Sequence, residues 1–441
     1  MVICLSYGES RVMAEGIDMT SLANYANQTI PEYIEWDNTP VWNPITDAGA
    51  TLGRVLFYDR RLSRDGSISC SSCHKQEFAF GDDRDVSTGV GGNTRRHSMR
   101  LVNLRFGEDR KVMWDRIAFS LEDQVTMPIK SRIEMGFSGI AGDPTLDSLL
   151  EELSAIDEYR ILFTAAFGDG KVTEKRLQMA LAQFIRSIQS FDSPFDQTFL
   201  ASINQRVPGG NVMPANGGDY PIVFNDCASC HRPPTFDIDP RSAGNGIIES
   251  FGGGIDIKVT RAPSLRDIIG PGGRSNGPMM HNASIKTLHD VIEHYTGDKP
   301  RFGNLDRRLR RPVPELTLNE ERELASFLKS LTGTAIYTDE KWSDPFSSDG
   351  ILHLKTASDP AFEYISGQGQ NGSIHLKAQL STQLPYRLES SRDLMHWQKE
   401  EMTISDNGLL DFKIEVQDNE PALFYRLHVD LPGGGAAVLS N

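Results

Sequence analysis

The sequence predicts a mainly α-helical chain followed by a small all-β domain. Three observations carry this. Apolar residues recur at helical spacing as far as about residue 333, strict alternation replaces that spacing from about residue 346, and the segment Cys-x-x-Cys-His occurs twice, at 70–74 and 227–231. A chain of 441 residues implies roughly two to four domains.

The elements follow in order. Residues 1–40 read as a leader and an extended arm. In "LGRVLFYDRRL", Leu52, Val55 and Leu56 have helical spacing and lead into the first Cys-x-x-Cys-His. Residues 81–93 are glycine-rich and loop-like. From Glu174 to Phe191, Leu177, Leu181, Phe184 and Ile188 share one face of a predicted helix. The loose stretch "NQRVPGGNVMPANGGDYP" marks a domain boundary before the second motif. Thr317 and Glu320 form a capping box for a helix carrying Leu324, Phe327, Leu328 and Leu331, with Gly333 as a stop signal. After the linker "WSDPFSSDG" come four alternating stretches, "SIHLKAQL", "PYRLESS", "LLDFKIEV" and "LFYRLHV". They predict a sandwich-like domain over residues 346–441. It has no cysteine, and its histidines, His353, His375 and His396, are scattered. They read as surface or core residues, not ligands.

Composition narrows the function. Hydrophobic residues make up 39% and charged residues 24%, which fits a packed chain and not a disordered one. No apolar run approaches the ~20 residues of a membrane helix. A net charge of −15 argues against nucleic acid, because phosphate binding requires a basic face. The fifth cysteine, Cys4, lies in "MVICLSYGESRVMAEG". That segment has the short apolar run and small residues of a secretory leader but no basic start, and Cys4 is given no role.

Cys-x-x-Cys-His is the attachment motif of c-type haem. Two thiols reach the two vinyl groups on one edge of the ring, and the next histidine swings beneath the iron. A zinc site wants two more cysteines or histidines at ligand spacing. A thioredoxin-like dithiol wants a βαβ context. Neither is present around Cys70, Cys73 and His74, or around Cys227, Cys230 and His231. The reading is two covalent haems in two cytochrome c-like helical domains, 41–200 and 201–335. Haem attachment of this type implies a periplasmic or exported protein, with the leader incomplete in this sequence.

Residues 45 to about 333 resemble the bacterial di-haem cytochrome c peroxidases and the MauG-type enzymes. The resemblance rests on "LGRVLFYDRRLSRDGSISCSSCH", "MWDRIAFSLEDQVTMPIKSRIEMG", "FGDGKVTEKRLQMALAQFIRSIQSFDSPFD", "VFNDCASCHRPPTF", "KVTRAPSLRD", "PMMHNASIKTLHDVIEHY" and "EERELASFLKSLTG". It implies that the N-terminal haem is the site of H2O2 reduction. Gln124 and Glu134 match the glutamine and glutamate of its open face, and Trp114 matches the tryptophan between the haems. Glutamate suits the proton shift that O–O cleavage requires, glutamine can orient the peroxide, and tryptophan offers a π system for electron transfer. Read without the resemblance, these three are a surface acid, a helix-face polar residue and a core aromatic.

The departures are informative. Peroxidases of this family carry a capping histidine upstream of "GxxGxRN", but no histidine lies between His74 and His97 here. An iron open at rest is expected, with His97 as the alternative cap. His97 also replaces an asparagine that the family often places near an inter-domain calcium. The carbonyls of Asn276 and Pro278 match other ligands, so one calcium ion is carried as an additional expectation. At the second haem, Tyr295 stands where the peroxidases have a methionine ligand, as in the MauG-type enzymes, and phenolate ligation favours oxidised iron. Met279 and Met280 are the competing ligands. His281 matches a family histidine, with Asn282 and Ala283 replacing the usual Asp-Gly, and is assigned a hydrogen-bonding role. The electrons come from a small redox protein (cytochrome c or cupredoxin) or from a side chain of a protein substrate. The alternatives are a non-enzymatic di-haem electron carrier, and a haem sensor or adhesin built on the β-domain. The basic run "RFGNLDRRLRRP" reads as a solvated loop or as a dock for an acidic partner.

Overall fold

The computed structural model describes residues 16–204, 224–261, 263–299, 303–311 and 313–356, together with seven strands between 361 and 439. The segment around Cys4 and the boundary stretch 205–221 lie outside the described residues. The fold is mostly helical with a few small sheets. It divides into two compact units, one of residues 23–344 and one of residues 1–22 with 345–441.

In the first unit, helix α1 (Asp47–Tyr58) packs on α6 (Glu174–Ser187). Leu52, Val55 and Leu56 of α1 and Leu177 and Phe184 of α6 are wholly buried. The helices meet at Gly53, where a β-carbon would fall 2.0 Å from the Ala180 carbonyl oxygen. Only glycine permits that approach. Helix α6 ends at Ser187, short of the expected Phe191. The reason is Asn103, whose N–H donates to the Ile188 carbonyl and whose Oδ1 accepts from Ser190 N at 2.8 Å. These bonds pull the chain out of the helix.

Between these helices run α2 (Leu121–Gln124), α3 (Met127–Lys130), α4 (Leu146–Ser154) and α5 (Asp157–Phe167). The short hairpin β2 (Thr88–Gly89) and β3 (Gly92–Asn93) precedes them. Helix α7 (Pro194–Asn204) opens the second half, followed by α8 (Asn225–Ala228), the hairpin β4 (His231–Arg232) and β5 (Asp237–Ile238), α9 (Leu288–Thr296), α10 (Leu318–Ser330) and α11 (Ala335–Thr338). Helix α10 has its capping box: Thr317 N donates to Glu320 Oε2 at 2.7 Å, and Glu320 N to Thr317 Oγ1 at 3.3 Å. A core of Tyr33, Phe195, Phe224, Phe236 and Phe327 joins these elements. Through it passes a buried bidentate pair, Arg266 with Asp196 at 2.7 and 2.9 Å. A cation buried so deeply depends on this pairing.

In the second unit β1 (Ile17–Asp18) pairs in parallel with β6 (Leu354–Lys355). The remaining strands are β7 (Ala361–Ile365), β8 (Ser373–Gln379), β9 (Tyr386–Ser391), β10 (Gln398–Glu400), β11 (Leu409–Glu415), β12 (Phe424–Asp430) and β13 (Ala436–Leu439). They form two antiparallel sheets, ordered β11-β8-β7 and β10-β9-β12-β13. The four alternating stretches of the sequence are β8, β9, β11 and β12. Among the described residues no helix is long and apolar enough to cross a membrane.

Candidate active site

Each Cys-x-x-Cys-His opens onto a cavity. The first encloses about 610 Å³ and is lined by Cys70, Cys73, His74, His97, Trp114, Gln124 and Glu134, among others. This size falls in the range of small-molecule and cofactor sites. Cys70–Ser72 form a single 3-10 turn, closed by the His74 N–H donating to the Cys70 carbonyl at 3.0 Å. His74 Nδ1 lies 3.1 Å from the Phe80 carbonyl. A carbonyl only accepts, so Nδ1 carries the proton and Nε2 keeps its lone pair for a metal. Burial lowers the His74 pKa, which keeps the imidazole neutral.

The carbonyl is aimed by backbone strain. Ala79 and Phe80 both adopt left-handed conformations, with φ of 53° and 58°, a cost of roughly 1–3 kcal/mol each. The Phe80 ring, packed against Phe57 and Phe184, holds them there. The second motif has a counterpart in Phe236, left-handed at φ 53° and fully buried, although His231 Nδ1 makes no hydrogen bond of good geometry to its carbonyl. A phenylalanine six residues after the first histidine and five after the second was the available sequence signal.

Across the first cavity, three elements bring Trp114, Gln124 and Glu134 together. Gln124 ends α2, which is anchored by Glu122 beneath it. Glu122 receives Arg186 at 2.6 and 3.0 Å and Asn43 at 2.7 Å, all of them buried. Glu134 follows α3 in a loop gripped by the glycine-rich hairpin: Val90 N donates to the Glu134 carbonyl at 2.8 Å and Gly91 N to the Ile133 carbonyl at 3.0 Å. A β-carbon on Gly89 would fall 2.1 Å from the Ile133 carbonyl oxygen, so this grip requires glycine. Burial raises the Glu134 carboxyl above its ordinary range, against a smaller opposing hydrogen bond from Ser131. Trp114 stands between left-handed Met113 and Arg116. Its indole N–H donates to the His97 carbonyl at 2.7 Å, and its own carbonyl accepts from Thr260 and Arg261.

His97 also lines the cavity; its Nδ1 lies 3.0 Å from the Arg84 carbonyl, as that of His74 does from Phe80, and burial lowers its pKa to about 4. Its main chain braces the site, receiving Trp114 and donating to the His281 carbonyl at 2.7 Å. The fully buried His281 ring lies edge-on to Trp114 with centroids 6.2 Å apart. Neither ring nitrogen makes a hydrogen bond of good geometry within the protein, and the ring faces the Glu249 main chain.

The second cavity is narrower, about 120 Å³, and joins Cys227, Cys230 and His231 to Tyr295 of α9 among apolar side chains that include Leu265, Ile268, Val291, Ile292 and Leu324. Burial lowers the His231 pKa to about 4, and the ring faces the Pro263 and Phe236 carbonyls. Burial also pushes the Tyr295 hydroxyl well above its ordinary pKa. Of the competing residues, Met279 is buried in the aromatic core and Met280 Sδ accepts from Asn245. Neither lines this cavity.

The donor sets fit c-type haem. The four cysteines of the two motifs are free, and burial raises their thiols, Cys70 to about 12 and Cys227 to about 11. A redox dithiol or zinc thiolate would sit in the opposite, electropositive setting. Among the described residues no three His, Cys, Asp or Glu side chains converge on a metal site. Asn276 turns its side-chain amide to the Asp267 carbonyl and the Tyr337 hydroxyl.

Two attachment turns, each with a neutral histidine facing a cavity, define a di-haem c-type protein. The comparisons agree. The sequence profile of the family "Di-haem cytochrome c peroxidase" matches residues 47–203. The methylamine utilization protein MauG of Methylophilus methylotrophus is 34% identical over 312 residues, 67% of this chain and 86% of that protein. MauG of Methylorubrum extorquens is 31% identical, over 66% of this chain and 80% of its own length. The cytochrome c551 peroxidase of Nitrosomonas europaea is 26% identical over 64% of this chain and 80% of its own. A crystal structure of a MauG-like protein associated with microbial copper homeostasis superposes with a TM-score of 0.58 at 29% identity, covering 72% of this chain and 99% of that one. The chain belongs to the di-haem cytochrome c peroxidase and MauG family and is an oxidoreductase of that family, with two c-type haems.

Proposed function

We propose that this enzyme reduces H2O2 at the first cavity, with electrons entering through the second. The observation that carries the reading is the convergence of Gln124, Glu134 and Trp114 with His74 on one cavity. Bound there through Cys70, Cys73 and His74, a haem supplies the redox-active iron at which peroxide is reduced. Glu134 carries a proton between the two peroxide oxygens, a task for which a raised carboxyl pKa is suited. Gln124 orients the peroxide through its amide. Trp114 would pass electrons between the two sites, and His231 and Tyr295, which line one cavity, would both hold the iron of the second haem. The balance is H2O2 with two electrons and two protons giving two waters. The donor is a small redox protein or, in a MauG-like reaction, a side chain of a protein substrate.

In this reading residues 41–200 and 201–335 are two cytochrome c-like domains. Residues 346–441 are a sandwich-like accessory domain, and the protein works in the periplasm or outside the cell. The test is an EPR spectrum of the oxidised holoprotein before and after one equivalent of H2O2. A high-spin ferric signal that disappears on addition is expected. Two low-spin signals indifferent to peroxide would mean that the first iron is capped, with His97 the first suspect, and would leave a reductively activated peroxidase or an electron carrier.

A further inference from the structure

The basic run of the sequence turns out to border the second cavity. Arg307–Arg310 form a 3-10 turn capped by Asp306, whose side chain accepts from Arg308 N at 2.9 Å. Leu309 lines the cavity of Cys227, Cys230 and His231. Arg308 ties the turn to the attachment motif: it pairs with Asp306 at 2.7 Å and Asp239 at 3.0 Å, and donates to the carbonyl of Ser229, between the two cysteines. The fold therefore employs Arg308 and Leu309.

It does not employ the others. Arg307, Arg310 and Arg311 are exposed, and among the described residues they have no carboxylate partner. Other arginines of this acidic chain are paired, among them Arg96 with Asp115 and Asp256, Arg105 with Asp37, and even the widely exposed Arg241 with Asp239. In a 3-10 turn the side chains at i and i+3 eclipse one another, so Arg307 and Arg310 project together. Like charges so placed repel and contribute nothing to folding. Against them the same cavity lining offers one exposed carboxylate, Asp226.

We propose that Arg307, Arg310 and Arg311 are the docking face for an acidic redox protein that delivers electrons to the second haem. This rests on the function proposed above. The donor is a small electron carrier with carboxylates around its own redox centre. It is oxidised by one electron per encounter, and two encounters supply the two electrons that, with two protons, reduce one H2O2. Elsewhere the net charge of −15 repels such a partner, so the arginines would also select where it lands.

The test uses the holoprotein, an acidic c-type cytochrome and a basic one as probes, and calorimetric binding measured apart from turnover. The wild type binds the acidic probe more tightly than the basic one. Raising the salt from about 20 to about 200 mM weakens that binding, because exposed charges are screened. The triple variant Arg307→Glu, Arg310→Glu, Arg311→Glu loses about tenfold or more in affinity and raises KM for the acidic probe, with unchanged haem spectra. The corresponding glutamine variant falls between. Equal binding by wild type and the charge-reversed variant, or preference of the wild type for the basic probe, overturns the proposal. Turnover of H2O2 with a small-molecule reductant reports on the catalytic reading separately. Its absence in the wild type would sink that reading while the binding results still decide the dock.

Discussion

The two cavities start from the same five-residue motif and end differently. Both have a neutral histidine and a left-handed, buried phenylalanine behind it. Around the cavity of His74, about 610 Å³, the chain places an amide, a carboxyl and an indole. The cavity of His231 holds a tyrosine amid leucine and isoleucine and keeps about 120 Å³. The attachment turn specifies only that a haem is held. The rest of each lining comes from elsewhere in the chain: α2, the loop after α3 and the glycine hairpin at one site, α9 at the other.

The comparison can be broken hardest at Glu134. Glu134→Gln is expected to lower kcat/KM for H2O2 by about 10²- to 10⁴-fold, read by stopped-flow with a fixed donor. An unchanged rate would remove the chemical distinction between the cavities. Next comes Arg186→Ala, which strands the buried Glu122 carboxylate under Gln124. A loss of about 3–5 kcal/mol is expected for breaking such a pair, measured by chemical denaturation, with no comparable loss when an exposed arginine such as Arg160 is changed. Gly89→Ala pushes the Ile133–Glu134 backbone aside, and about a 10²-fold loss in peroxide turnover follows from displacing the carboxyl. A normal rate would show that the hairpin does not position it.

Two smaller effects sharpen the contrast. Tyr295→Met is expected to raise the potential of the second site and change its EPR signal; identical spectra would mean the iron has another ligand. The pH dependence carries its own sign. The Glu134 pKa lies above its ordinary 4.5, so the carboxylate that accepts the peroxide proton accumulates only as pH rises through that raised value. The rate should climb across that interval in the wild type and stay flat in Glu134→Gln. Stability runs the other way. The raised group favours the folded state below its unfolded pKa and loses that advantage as pH rises through the folded one. The glutamine variant should therefore be relatively more stable at neutral than at acid pH, checked by thermal melts at both.

Much of this was legible where the chemistry is local. Thr317 and Glu320 are three residues apart, and the capping box forms between them. Cysteines two residues apart and the adjacent histidine announce their ligand, and Trp114, Gln124 and Glu134 were reached through resemblance to a family pattern. The supports were not legible. Arg186 reaches Glu122 across 64 positions of sequence, and Val90 reaches Glu134 through main-chain atoms that no side-chain pattern encodes. Nor does local helical periodicity show that Asn103 ends α6 early, because the competing hydrogen bonds come from a distant loop.

The hydrogen bond of Trp114 has a consequence for how charge travels. The indole N–H ends on the carbonyl of His97, an amide oxygen too weakly basic to accept a proton. An indole that gives up an electron in this setting keeps its hydrogen. It can be refilled without waiting for a proton to return, which suits the conducting role proposed for Trp114 better than that of a reservoir. In the function proposed above, the proton traffic then falls to Glu134, on another segment of the chain, and electrons and protons would reach the same cavity by separate routes.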